Sequence, residues 1–150
     1  FAGLISEIKG ETFSEKPGHL NFTRREPYGV VAKINPFNHP LRFCAEKSAS
    51  ALAAGNTVVM KASEQAPLSS LRFAEICHEV LPPGVVNVLT GGITCGQAMV
   101  RHPDVRRVGV VGSVSTGKSI AKDAAEDLTH VTLELGGKNP VIIFPDVDPK

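Results

Sequence analysis

From residue 27 onward, short β-branched runs alternate with stretches of helical periodicity, and no other feature narrows the fold of this chain as far. The runs at 30–34, 57–61, 85–89 and 108–111 are nearly all apolar rather than alternating. That suits strands covered on both faces in a parallel sheet. Between the first two runs Leu41, Cys44, Ala45, Ala49 and Leu52 recur at helical spacing, with Pro40 suited to a first turn and Gly55 to the residue past the end. Pro67 opens a second helix carrying Leu71, Phe73, Ile76, Cys77 and Val80, and Pro82, Pro83 and Gly84 stop it. A short third helix is expected at 94–100 and a fourth, weakly amphipathic, at 115–126. A strand at 131–135 is broken by Gly136 and Gly137, and 141–144 starts another. Residues 1–26 stand outside the alternation, with a short helical pattern, a mostly polar turn region at 10–18 and an extended run at 20–25. The expected class is α/β, an open parallel sheet with crossover helices.

Composition excludes several functions. Sixteen Lys and Arg against fifteen Asp and Glu leave a formal charge of +1, too little to grip nucleic acid or an anionic membrane. The longest apolar runs, such as 51–54 and 141–144, fall far short of the roughly 18–20 residues that span a bilayer. Cys44, Cys77 and Cys95 are odd in number, widely spaced and without a CxxC, which fits neither a disulfide framework nor a zinc site and points to a reducing cytoplasm. The five histidines show no ligand spacing, so no metal site is expected. The chain opens at Phe1 rather than Met and stops at Lys150 just after a proline, so it reads as a piece of something longer.

In open parallel sheets ligands bind beyond the carboxyl ends of the strands, so the strand–loop–helix corners carry the chemistry. Asn38, held between Pro36 and Pro40, either donates an amide hydrogen bond to a developing oxyanion or caps the helix at Pro40. Lys61, Ser63 and Glu64 follow the second run as a ribose-type corner or as a solvated loop. Gly112-Ser113-Val114-Ser115-Thr116-Gly117-Lys118-Ser119 matches the phosphate-loop pattern GxxxxGK[ST] between a strand and a helix. No later strand ends in an Asp suited to magnesium, and the softer reading is a Gly-Ser turn whose N–H groups and helix dipole attract a pyrophosphate. Glu134 ends an apolar strand, where burial would raise its pKa toward that of a general base; alternatively it bonds the Gly136 and Gly137 backbone or pairs with Lys138.

Taken in order, Pro-Phe-Asn-His-Pro, Ala-Ala-Gly-Asn-Thr-Val-Val-Met-Lys-Ala-Ser-Glu, Pro-Pro-Gly-Val-Val-Asn-Val, His-Pro-Asp-Val, Gly-Ser-Val-Ser-Thr-Gly and Leu-Glu-Leu-Gly-Gly-Lys-Asn-Pro closely resemble the NAD(P)-dependent aldehyde dehydrogenase superfamily, from about Arg25 to Pro149. The resemblance implies a Rossmann-like dinucleotide-binding domain at 27–135. An N-terminal helix and part of an oligomerisation arm would precede it at 1–26, and the first strand of a second α/β, catalytic domain would follow at 136–150. It implies oxidation of an aldehyde to a carboxylic acid through a cysteine thioester, with NAD as cofactor and NADP possible, in a homodimer or homotetramer. Asn38 would be the oxyanion amide and Glu134 the base for thioester hydrolysis. Ile34, Pro36, Phe37, Lys61, Ser63, Glu64, Gly91, Gly112, Ser113, Val114, Ser115, Thr116, Gly117, Leu135 and Gly136 would surround the cofactor. Phe37 stands where many members carry Trp, and none of the three cysteines matches the nucleophile's motif. The alternatives are a P-loop hydrolase-like nucleotide binder and a non-catalytic nucleotide-binding module.

Overall fold

The computed structural model describes residues 2–148. Phe1, expected in the arm, and Pro149 and Lys150, expected at the start of a catalytic domain, lie outside the described residues. A 3₁₀ helix at Ala2–Glu7 leads to two short antiparallel strands, β1 (Thr12–Phe13) and β2 (Asn21–Phe22). The main sheet follows, with β3 (Val30–Ile34), β4 (Thr57–Lys61), β5 (Val86–Leu89), β6 (Val105–Val111) and β7 (His130–Glu134). The connections are α1 (Pro40–Ala53), α2 (Leu68–Val80), α3 (Ile93–Val100) and α4 (Val114–Ala125).

All five strands of this sheet run parallel in the order β5-β4-β3-β6-β7. The chain winds outward from β3 to β5, returns through α3 to β6 on the other side of β3, and ends at β7. Because strand–helix–strand crossovers are right-handed, reversing the winding direction puts the helices on opposite faces. The packing follows: Cys44 of α1 and Cys77 of α2 lie with Val58, Met60 and Val86 on one face, while Met99, Val100, Ile120 and Ala124 from α3 and α4 lie with Ala32, Val108 and Val110 on the other. Truncating any of the buried branched side chains to Ala would cost roughly 2–4 kcal/mol in transfer and cavity terms.

The turn from α1 to β4 shows how one polar residue fixes a corner. Gly55 takes φ +82°, a left-handed conformation that a side chain would strain, and the buried Asn56 then faces inward. Its amide donates to the Ala51 carbonyl at 2.9 Å and accepts from the Gly29 N–H at 3.1 Å, tying the entry of β3 to the end of α1.

Two expectations fail. Residues 141–144 form no strand: Val141, Ile142, Ile143 and Phe144 are exposed, and an extended apolar run becomes a strand only where an edge is available to pair with it. The fourth helix is not weakly amphipathic either. Gly117, Ile120, Asp123 and Ala124 are all buried on one side of it, and the exposed Ser115, Lys118, Ser119 and Lys122 opposite make it the most strongly amphipathic of the four helices.

Candidate functional site

The strand order reverses between β3 and β6, and the crevice beyond their carboxyl ends is where open α/β sheets bind ligands. A cleft of about 520 Å³ lies there. Ile34, Asn35, Pro36 and Phe37 form its wall after β3; Lys61, Ser63 and Glu64 form a second after β4. Val111, Gly112, Ser113, Ser115 and Thr116 close the side after β6, and Ile93, Gly96 and Gln97 from α3 with Ser119, Ile120 and Asp123 from α4 form the floor.

The Lys61 ammonium is almost fully buried and lies 3.1 Å from Glu64 Oε1 and 3.2 Å from the Ala62 carbonyl oxygen. Gly96 of α3 lies alongside it, at a distance where a Cβ would make ordinary contact with the Lys61 Cδ at 3.6 Å and the Ile34 Cδ1 at 3.7 Å. A hydrogen bond from its own backbone amide, and then the one from Lys61, hold the Glu64 carboxyl below the ordinary carboxylate range. Glu64 is half exposed, so it is an ionised acceptor facing the cleft.

Across the cleft Ser113 caps α4: its Oγ accepts from the Thr116 N–H at 3.2 Å and meets the Ser115 and Thr116 hydroxyls at 2.9 Å each. The first turn of α4 thereby presents N–H groups and the positive end of the helix dipole to the cleft, which suits a phosphate. The same cap rules out a P-loop. That loop must wrap a phosphate between its first Gly and the Gly-Lys pair, whereas α4 begins at Val114, two residues after Gly112, and Lys118 is an exposed residue inside the helix.

The expected cofactor contacts divide. Ile34, Pro36, Phe37, Lys61, Ser63, Glu64, Gly112, Ser113, Ser115 and Thr116 converge on the cleft, whereas Gly91, Val114, Gly117, Leu135 and Gly136 do not line it. Gly91 takes φ +155° ahead of α3, and a Cβ there would stand 2.7 Å from the Cys95 Cβ. Gly117 is buried beneath Leu135, whose Cδ atoms would lie 2.7 and 2.8 Å from an added Cβ. Val114 and Gly136 are exposed.

The two expected catalytic groups lie outside this cleft. Asn38 is exposed and, among the described residues, its amide makes no hydrogen bond. The cap reading is corrected, since the residue at the helix boundary is His39, which makes no side-chain cap bond. Glu134 is not buried as expected, because β7 is an edge strand, and neither the Gly136–Gly137 backbone nor Lys138 is its partner. Its carboxylate pairs with the Lys47 ammonium of α1, which also meets Glu46 at 3.3 Å. The Glu134 bond, foremost, raises the Lys47 pKa above its ordinary value. Glu134 and Lys47 line a separate groove of about 340 Å³ on the α1 face of the sheet.

Sequence reasoning missed Lys47, Asn35, Gln97 and Asp123. Asn35 was detectable as a polar residue at the end of an apolar run. It is buried, with its amide against the Cys44 and Met60 sulfurs, and its N–H donates to the Lys61 carbonyl at 3.1 Å. Asp123 accepts from the Arg101 guanidinium at 2.8 Å.

Fold and cleft together define a Rossmann-like α/β protein with its ligand crevice at the topological switch point. The sequence model of the Aldehyde dehydrogenase family matches residues 1–150, and the chain belongs to that family. It is 51% identical to aldehyde dehydrogenase tropH of Talaromyces stipitatus, over 99% of this chain and 29% of that protein. It is 46% identical to human 4-trimethylaminobutyraldehyde dehydrogenase, over 99% of this chain and 30% of that one. Among solved structures, the NAD+ complex of an aldehyde dehydrogenase from Bacillus cereus superposes with a TM-score of 0.89 at 46% identity, covering 97% of this chain and 30% of the other. The chain thus spans about three tenths of the length of the relatives it matches.

Proposed function

We propose that these residues are the dinucleotide-binding portion of an enzyme that oxidises an aldehyde to a carboxylic acid, with NAD as cofactor. The observation that carries this reading is the pairing of an ionised, lysine-anchored Glu64 with the capped N-terminus of α4 on opposite lips of one switch-point cleft. A carboxylate accepts from ribose hydroxyls, and a helix N-terminus takes a pyrophosphate. The donor set therefore fits a dinucleotide, and Glu64 disfavours one with a 2′-phosphate. Bound there, NAD supplies the two-electron acceptor of the oxidation.

The remaining chemistry falls to protein side chains. A thiolate attacks the aldehyde carbonyl, the Asn38 amide stabilises the resulting oxyanion, and Glu134 takes the proton from the water that hydrolyses the thioester. Cys44 and Cys77 are buried in the core and Cys95 packs against Gly91, so none of the three is assigned as the nucleophile. The exposed apolar Phe13, Leu20 and Phe22 around β1 and β2 support a homodimer or homotetramer built through residues 1–26. No helix among the described residues is long and apolar enough to cross a membrane, and three unpaired cysteines fit the cytoplasm.

Calorimetric titration of the chain with NAD, NADP and magnesium-ATP tests the cofactor assignment. NAD should bind more tightly than NADP, Glu64→Ser should narrow the gap, and Lys118→Ala should leave NAD binding unchanged. Tighter NADP binding, or magnesium-ATP binding without NAD binding, refutes it.

A further inference from the structure

On the α1 face the register of the sheet builds a second polar site that the cofactor reading does not use. Val31, Arg107 and His130 form one cross-strand row, and Lys33, Gly109 and Thr132 form the next. Gly109 leaves its row bare between Lys33 and Thr132, and the Lys33 side chain lies across it: a Cβ at 109 would stand 2.8 Å from Lys33 Nζ and 3.0 Å from its Cδ. One row away, Arg107 is held by neutral partners, donating to the Tyr28 hydroxyl at 3.1 Å and to the Thr132 hydroxyl at 2.7 Å, with its guanidinium 5.3 Å from the Tyr28 ring centroid.

The charges around this floor do not balance. Of the carboxylates lining the groove, Glu134 is engaged by Lys47 and Glu26 by Arg24. Among the described residues neither Lys33 nor Arg107 pairs with a carboxylate, and the Lys33 ammonium makes no hydrogen bond. Burial, then Arg107 and Lys47, push the Lys33 ammonium below its ordinary pKa, with Glu134 opposing. A half-buried ammonium beside a second cation is costly until an anion joins it.

We propose that the groove over Gly109 is a binding site for a small carboxylate, whose two oxygens bridge Lys33 and Arg107. Both cations border the same bare position: Lys33 Nζ lies over Gly109, and Arg107 reaches the same cross-strand row through its bond to the Thr132 hydroxyl. A planar two-oxygen anion seated there accepts a charge-assisted hydrogen bond from each. The site is separate from the switch-point cleft, so its failure leaves the dinucleotide reading untouched, and titration of the same sample with NAD reports on that reading independently.

The test is a titration of the isotopically labelled 150-residue chain with sodium acetate at constant ionic strength, followed by amide and lysine side-chain NMR. Saturable shifts at Gly109, Thr132 and Lys33 Nζ, with little change at Ser113, are expected. Lys33→Gln and Arg107→Gln should each weaken binding at least tenfold, while Lys122→Gln, on exposed α4 surface, should not. Gly109→Ala should abolish binding by displacing the ammonium. Shifts that stay linear with acetate, equal affinity in Lys33→Gln, or saturable binding of inorganic phosphate without acetate would each overturn the proposal. The wild-type titration alone decides the matter if a variant fails to fold.

Discussion

Replacing Glu64 tests the cleft where structure and proposed chemistry meet. At 3.1 Å the attraction between Lys61 and Glu64 is about 5 kcal/mol at an effective dielectric of 20 and about 1 kcal/mol in bulk water. Lys61 sits near the first limit, with 8% of its side chain exposed, and Glu64 near the second, with 54% exposed. After solvent competition and the ordering of two side chains, a net value of about 1–2 kcal/mol is reasonable. Glu64→Ala, which leaves the buried ammonium only the Ala62 carbonyl, should therefore lose about 1–2 kcal/mol. Glu64→Gln retains an oxygen acceptor and should lose less. The folded pKa of Glu64 is depressed, so its stabilisation is complete above the ordinary value of 4.5 and disappears as pH falls through the lower folded value. Urea unfolding followed by circular dichroism at pH 7, repeated in acid, should show the gap between wild type and Glu64→Ala closing as pH drops. A gap at pH 7 below about 0.3 kcal/mol, or one that does not depend on pH, would mean that the ammonium is satisfied without the carboxylate.

Ser113→Ala removes the hydroxyl that caps α4 and should cost about 1 kcal/mol in urea unfolding, with NAD affinity falling as the first turn frays; Ser113→Asp should preserve the cap. Gly117→Ala gains about 1 kcal/mol of helix propensity but meets Leu135 at 2.7 Å, an overpacking cost of about 1–3 kcal/mol. A lower Tm is expected, and in a Leu135→Ala background, where the clash is gone, Gly117→Ala should instead raise Tm. In a catalytically competent protein containing this sequence, Glu134→Gln should give a burst of NADH followed by slow turnover, read by stopped-flow absorbance. Asn38→Ala should slow burst and turnover together, by about 10²–10³ if one oxyanion donor is lost.

The parallel sheet was legible because its strands are covered on both faces, so apolarity alone marks them and their edges differ from the expected ones by a few residues at most. The register was not legible, and with it went the row in which Gly109 separates Lys33 from Thr132. Helix α4 shows a different limit. Its buried stripe contains a glycine required by Leu135 and an aspartate held by Arg101, so its overall apolarity is low although the contrast between its two faces is strong, and it is the contrast that burial follows. The apolar run at 141–144 shows the converse, since composition signals a readiness to pair and says nothing about a free strand edge.

For the site, distance along the chain decided what could be read. Lys61 and Glu64 are three residues apart, so their pairing was visible, whereas Lys47 and Glu134 are separated by 87 positions and meet only because α1 crosses over the face that carries β7. The GxxxxGK[ST] match was resolved by a single hydrogen bond that the pattern does not encode. Once Ser113 accepts from the Thr116 amide, the helix starts at Val114 and consumes the residues that a phosphate-wrapping loop would need. What remains is a helix N-terminus beside a bare glycine. That geometry suits a pyrophosphate approaching from the crevice but offers no enclosure in which a terminal phosphate and its magnesium are held.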